Sequence, residues 1–371
     1  MQTKIPCVLM RGGTSKGPFF KASDLPADPK LRDQVLMAAM GTPDERQIDG
    51  VGGADPLTSK VAIVKRSTRK NVDLDYLFVQ VFVDKPLTSI KQNCGNMLAG
   101  VGQFAIEQGL IEPRGDETTL TIYMENSDSI ADVTFPTPNG QVKYDGTARI
   151  DGVPGTAAPV MTNFRGTEGS TCGALLPTGN LVDVVNGIEV TCIDNGMPCV
   201  IFEAKAVGRT GYESRDALNA DAELKKIVED LRLKVGPMMN LGDVKEASVP
   251  KMTLVAPAMN GGSITTRSFI PHDCHAAIGV FAAVSVATAC ILPGTTASRV
   301  AKIPEGKRKL FSVEHPTGEM SVEMEFEGPA DKPVIKRAAL LRTARRLMEG
   351  NILVPLSVWD GKQQQLSKAA E

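Results

Sequence analysis

Aromatic residues are scarce in this 371-residue chain: they make up 5% of it, with one Trp and four Tyr. That is thin for a protein that stacks bases or sugars on aromatic platforms. Basic runs are missing too. The formal net charge is −2, and the densest cluster, Lys65-Arg66 to Arg69-Lys70, reads as a solvated turn between strands. Nucleic acid is therefore not an expected partner. The longest apolar segment, Ala276 to Leu292, is rich in Ala, Gly, Ser and Thr and falls short of a membrane span, so it reads as a buried helix. No membrane partner is expected. The seven cysteines are odd in number and lack the regular spacing of a disulfide framework, which points to a reduced, cytoplasmic setting. The apolar run from Ile5 meets Arg11 after Met10 and reads as a first strand, too short for a signal peptide.

What is present is ordinary globular sequence, with 42% hydrophobic and 23% charged residues. The length suffices for two domains with substantial cores and a ligand cleft between them. Strand-like runs dominate: Pro6–Met10, Val61–Val64, Tyr76–Val83, Leu120–Met124, Ala131–Thr134, Glu189–Ile193, Val200–Glu203, Lys251–Val255, Ile264–Phe269 and Met320–Phe326. Helical patterns cover Lys30–Met40, Cys94–Gln108, Ala222–Lys234 and Cys274–Cys290, while Val334–Glu349 fits either a helix or strands. Two of these helices, those starting at Cys94 and Cys274, are apolar around most of their circumference and must be enclosed on all sides. Each follows strand-rich sequence, which makes a weak internal repeat. The expected division is a first domain over 1–184, joined by a C-terminal strand near 350–356, and a second over 185–349, with a polar tail over 357–371.

Chemistry concentrates in a few places. In Asn93-Cys94-Gly95-Asn96 a thiol sits on an expected first helical turn, where the dipole favours thiolate and free N–H groups suit a carboxylate. A buried structural cysteine is the alternative. Lys60 ends the Gly-rich loop Gly50–Ser59 at the start of an apolar strand, where burial favours the neutral amine. It is suited to proton abstraction beside a carbonyl, although most lysines at strand ends simply reach solvent. Arg11-Gly12-Gly13-Thr14-Ser15-Lys16-Gly17 is not a phosphate loop, and reads either as a turn with donors for a carboxylate or as a structural hairpin. Arg267, before His272-Asp273-Cys274-His275, is placed to clamp a carboxylate. The latter run invites a zinc reading, but no further ligand pair sits at suitable spacing, so no metal is expected.

These motifs resemble the PrpF family of isomerases: the Arg11–Gly17 segment, Asp49–Gly53, Leu57–Ala62, Asn93–Asn96, Val190–Asp194 and Arg267–His272, within a likeness running from about residue 4 to about residue 355. The fuller segments Gln47–Val64, Val190–Pro198 and Arg267–Cys290 look most like family members acting on 4-oxalomesaconate in gallate and protocatechuate degradation. The resemblance implies an α+β, diaminopimelate-epimerase-like fold of two β-rich domains, each wrapped around a central apolar helix. It also implies a cofactor-independent 1,3-allylic proton shift on a small tricarboxylic keto acid, with Lys60 and Cys94 as the catalytic pair. Ser15, Gly95, Asn96, Arg267 and Ser268 then fall where substrate carboxylates bind, with Asn93, Asn195, His272, Cys274 and His275 as further substrate-binding candidates. The epimerase Cys-Gly-Ser/Thr-Gly pattern is replaced here by Cys274-His275-Ala276-Ala277, which argues against two-thiol racemisation. Aconitate-type isomerases and a tricarboxylate-binding protein on the same fold remain as alternatives. The oligomeric state, self-association included, is left open by the sequence.

Overall fold

The computed structural model describes residues 1–90, 94–329 and 334–362, and the chain divides into two units. The first is Met1–Arg165 with Arg342–Glu371, and the second is Gly166–Leu341. The first stretch of the first unit ends at Arg165, whereas the sequence reading ends the first domain at residue 184.

The first unit is a sheet built from β1 (Gln2–Gly12), β2 (Ser15–Lys21), β3 (Lys60–Arg66), β4 (Leu74–Val81), the short β5 (Thr88–Ser89), β6 (Glu117–Met124), β7 (Ser129–Pro136) and β8 (Val160–Phe164). β1 and β2 form a hairpin closed by the Gly12–Ser15 pair, β2 runs parallel to β3, and β3 pairs antiparallel with β4. β4 is parallel to β6, and β6–β7–β8 continue antiparallel. Helix α1 (Pro29–Met40) starts with Pro29 after an Asp28 side-chain cap and ends at Gly41 in the left-handed region. It buries Val35, Leu36, Ala39 and Met40 against Phe20, Val61 and Ile63.

The expected helix over Cys94–Gln108 is two pieces, α2 (Gly95–Leu98) and α3 (Val101–Glu107). The break sits at Ala99–Gly100, where Phe19 lies so close that a β-carbon on Gly100 would be 2.9 Å from its ring. Tertiary packing has overridden the helical period. α3 remains enclosed, with Val101 to Ala105 buried and Phe104 tilted against Phe19 at 5.7 Å.

The second unit repeats this order. It contains β9 (Asp183–Val185), β10 (Ile188–Asp194), β11 (Pro198–Glu203), α4 (Arg215–Ala220), α5 (Ala222–Met238), β12 (Lys251–Ala256), β13 (Ile264–Phe269), α6 (Val280–Ile291), β14 (Arg308–His315), β15 (Gly318–Glu327) and β16 (Val334–Arg342). β10–β11 is an antiparallel hairpin, β11–β12 is parallel and β12–β13 antiparallel. β13–β14 is again parallel, and β14–β15–β16 antiparallel. Strand for strand, this is the pairing sequence of β1 to β8 without the short β5, with α6 in the place of α2 and α3. α6 is buried from Ala282 to Ile291 and packs on β10, β11, β14 and β15.

The chain then returns to the first unit as β17 (Ala344–Pro355), antiparallel to β1 along its whole length. The ambiguous stretch Val334–Glu349 is thus strand, not helix. Beyond it, Trp359 packs into the first core and its carbonyl accepts the Thr3 hydroxyl, so the expected tail over 357–371 begins with anchored residues. Among the described residues no helix is long and apolar enough to cross a membrane.

One close approach sets the geometry of the first unit. A methyl group on Gly17 would overlap the Lys60 carbonyl oxygen, so β2 reaches β3 only because residue 17 is Gly. Backbone cannot yield as a side-chain tip can. Gly17→Ala is expected to lower stability by about 3 kcal/mol, the upper end for overpacking, seen as a fall in the thermal unfolding midpoint; an unchanged midpoint would contradict this packing.

Candidate active site

Lys60 is the first residue of β3, and the loop before it is a scaffold. Gln47 is buried and reaches across that loop, its Nε2 donating to Ser59 Oγ at 2.7 Å and Thr42 Oγ1 at 3.1 Å while its Oε1 accepts the Ala54 N–H. From β4, Gln80 Nε2 donates to the carbonyls of Ser59 and Pro56 at 2.9 and 3.0 Å. Ser59 is thereby fixed from two sides, and the Lys60 side chain is directed into the unit. Only 9% of Lys60 is exposed. Its Nζ lies 3.1 Å from Ser15 Oγ, 3.6 Å from Cys94 Sγ and 5.8 Å from the centre of the Phe78 ring. Among the described residues no carboxylate forms an ion pair with it.

Cys94 caps α2 with an extended backbone. Its carbonyl accepts the Leu98 N–H at 3.0 Å and the Tyr76 hydroxyl at 3.2 Å. Tyr76 is fully buried, and burial together with the nearby Cys94 pushes its phenol well above the usual range, so it stays a proton donor to that carbonyl. A four-residue helix has little macrodipole, so the thiol's setting comes less from α2 than from its neighbours. Ser15 enters from the β1–β2 hairpin. At its tip Gly13 has φ +52°, and the Asn96 side chain occupies the space a β-carbon would need. Asn96 Nδ2 donates to Thr14 Oγ1 at 3.0 Å, which ties the hairpin to α2. Asn93 lies outside the described residues.

One residue near this cluster escaped the sequence reading. Arg342, buried at the end of β16, has its guanidinium pushed down to about 10 by burial, an effect the Cys94 sulfur partly offsets. It is therefore a cation at neutral pH, close enough to interact with the thiol. The available signal was a lone Arg after the apolar run Ala338-Ala339-Leu340-Leu341.

The second unit holds the other candidates. Arg267, on β13, is buried, with Nε donating to the Glu213 carbonyl at 2.8 Å and Nη1 to the Thr266 carbonyl at 2.9 Å. Burial lowers its pKa. Ser268 shares a 2.9 Å hydrogen bond with Thr253. The expected helix start at Cys274 is not observed: α6 begins at Val280, after Gly279. Residues 270–275 instead fold back on β13, with the His275 N–H donating to the Ser268 carbonyl at 2.7 Å and a bridge pairing Phe269 with Cys274. The Cys274 thiol points to the His275 carbonyl at 3.6 Å, and burial pushes it up to about 11, so it is protonated at neutral pH. His272 Nδ1 lies 3.4 Å from Glu229, and His275 Nδ1 accepts the Ala277 N–H. Asn195 is engaged on both sides, accepting from Thr167 at 2.6 Å and donating to Thr288 of α6 at 2.9 Å.

The topological equivalent of Lys60 is Lys251, the first residue of β12. It is buried too, but its Nζ donates to the Ser248 carbonyl at 2.7 Å. Cys199 lies within its electrostatic reach, but among the described residues the hydrogen-bond contact of a lysine with a thiol is that of Lys60 and Cys94. Among the described residues no three His, Cys, Asp or Glu side chains converge as metal ligands would.

Comparison with known proteins agrees across nearly the full length. The family described as PrpF protein matches residues 2–355. The (4E)-oxalomesaconate Delta-isomerase of Novosphingobium sp. (strain KA1) is 62% identical over 94% of this chain and 97% of its own. The 4-oxalomesaconate tautomerase of Pseudomonas putida is 54% identical over 98% and 99%. Among solved structures, that of a methylitaconate-delta-isomerase superposes with a TM-score of 0.88 at 34% identity, covering 100% of both chains. The two-unit, helix-centred architecture is the diaminopimelate-epimerase-like fold. Matched from its first strand to its last, the chain belongs to the PrpF family and is an isomerase.

Proposed function

We propose that this isomerase moves a double bond of 4-oxalomesaconate by a cofactor-independent 1,3-allylic proton shift, in the breakdown of aromatic acids such as gallate and protocatechuate. The observation that carries the reading is the contact of a buried lysine amine with a hydroxyl at 3.1 Å and a thiol at 3.6 Å. An amine without a carboxylate partner is available to exchange a proton with a bound substrate, whereas an ion-paired one is not. The names of the 62% and 54% identical relatives supply the substrate.

In the proposed reaction Lys60 takes a proton from one end of the allylic unit. The electron pair of that C–H bond enters the conjugated system, giving a dienolate whose charge reaches the ketone oxygen. A proton returned to the other end completes the shift, so substrate and product have the same atoms and no electrons are gained or lost. Cys94, within reach of Lys60, is the second proton-transfer group. The Arg342 cation and the N–H groups of the first turn of α2 stabilise the developing negative charge. Arg267 and Ser268 are assigned to substrate binding by the family resemblance. Cys274, a protonated and fully buried thiol, takes no part in proton transfer.

Steady-state assays on folded variants test the residue roles. Lys60→Ala is expected to lower kcat by about 10²–10⁴-fold, the range for general acid–base groups, while Cys274→Ala stays within about tenfold of the parent; near-normal activity of Lys60→Ala would remove the lysine from the mechanism. The substrate is tested separately. Initial rates on 4-oxalomesaconate should exceed those on methylaconitate and methylitaconate by about tenfold or more, since a pocket that hydrogen-bonds an extra polar group rejects analogues lacking it. The reverse preference would assign the chain to the aconitate-type isomerases.

A further inference from the structure

A second candidate site lies in the first unit, on the sheet face away from the acid/base cluster. Arg11 pairs directly with Lys16 of β2 on one side and with Arg345 of β17 on the other. Directly paired residues project from the same face, so three cations stand in a row across three strands. Ser15, one position along from Lys16, projects to the opposite face, where Lys60 meets it. Like charges placed directly opposite one another destabilise a sheet. Among the described residues none of the three forms an ion pair. Arg11 uses only Nη1, donating to the carbonyls of Gly13 and Thr343 and to the Thr343 hydroxyl at 2.8–3.0 Å. The nearby Arg345 charge, added to burial, lowers the Arg11 pKa.

The row lines a cavity of about 460 Å³, within the range of roughly 300–1,000 Å³ usual for small-molecule sites. Its other wall is the segment around Tyr144 and Asp145, and Ser15 and Thr58 line it as well. Asp145 is the one acidic lining residue and is in ion-pair contact with none of the cations.

The geometry points to a binding site for a small polyanion of the di- or tricarboxylate class, held by Arg11, Lys16 and Arg345 and bordering the acid/base cluster at Ser15. A central guanidinium with an ammonium on one side and a second guanidinium on the other suits two or three carboxylate groups on one short skeleton. Through Arg11 Nη1 the site connects to the Gly13 carbonyl, and so to the hairpin that ends in Ser15.

Citrate and inorganic phosphate are the probes, tested on the full chain by thermal unfolding against chloride of matched ionic strength. Citrate should raise the unfolding midpoint of the parent beyond chloride, and its apparent affinity should weaken by about tenfold or more in the double variant K16Q/R345Q, which removes two charge-assisted contacts. The kcat and KM of that variant, measured without added anion, should stay within about twofold of the parent. A phosphate response equal to that of citrate would mark a site for any compact polyanion, and a response to citrate alone one matched to carboxylate spacing. Citrate stabilisation undiminished in K16Q/R345Q, or no stabilisation beyond chloride, overturns the proposal. A parallel rise in KM also overturns it, because the cations would then belong to the catalytic site.

Discussion

The first unit is organised around one unusual constraint: a lysine amine held inside the protein beside a thiol and a hydroxyl, with no carboxylate in ion-pair contact among the described residues. A buried polar group is costly unless its contacts are fixed, so the fold must supply the rigidity that keeps Nζ there. It does so from four directions. Gln47 and Gln80 lock the residue before Lys60, Gly17 lets β2 close on the Lys60 carbonyl, and Tyr76 holds the Cys94 carbonyl while Asn96 ties the hairpin of Ser15 to α2. Gly17 therefore acts as scaffold, letting backbone close on backbone.

The internal repeat sharpens this. Both units run hairpin, parallel strand, antiparallel strand, central helix, then parallel and antiparallel strands, and both begin the third strand of that series with a buried lysine. Lys60 makes a hydrogen-bond contact with a thiol; Lys251 spends its donor on the Ser248 carbonyl and has Cys199 only within electrostatic reach, and Cys274 is turned to the His275 carbonyl with its proton retained.

Much of this was legible in the sequence, and the exceptions have physical reasons. Val61–Val64 and Lys251–Val255 are short apolar runs whose strand character is local, and Lys60 stood at the strand edge where the structure has it. Ser15–Lys21 was not read as a strand, because Gly17 and Pro18 are poor strand formers and only pairing with β1 and β3 makes them one. The Cys94–Gln108 helix breaks where Phe19, distant in sequence, packs on Gly100. The start of α6 moves from Cys274 to Val280 because residues 270–275 pair back onto β13. Val334–Glu349 fits both periods, and the decision for strand is made by β15 and β1, which local pattern cannot see. Arg342 was missed for the same reason: its importance comes from a neighbour some 250 positions away in the chain, Cys94.

The central claim is that Lys60 and Cys94 divide proton transfer between two carbons of the substrate. Exchange of substrate protons in deuterated water, followed by NMR with Cys94→Ala, tests it most directly. The account predicts that this variant still exchanges deuterium at the carbon served by Lys60 while net isomerisation is lost. Full isomerisation by Cys94→Ala, or loss of exchange at both carbons with substrate still bound, would contradict it.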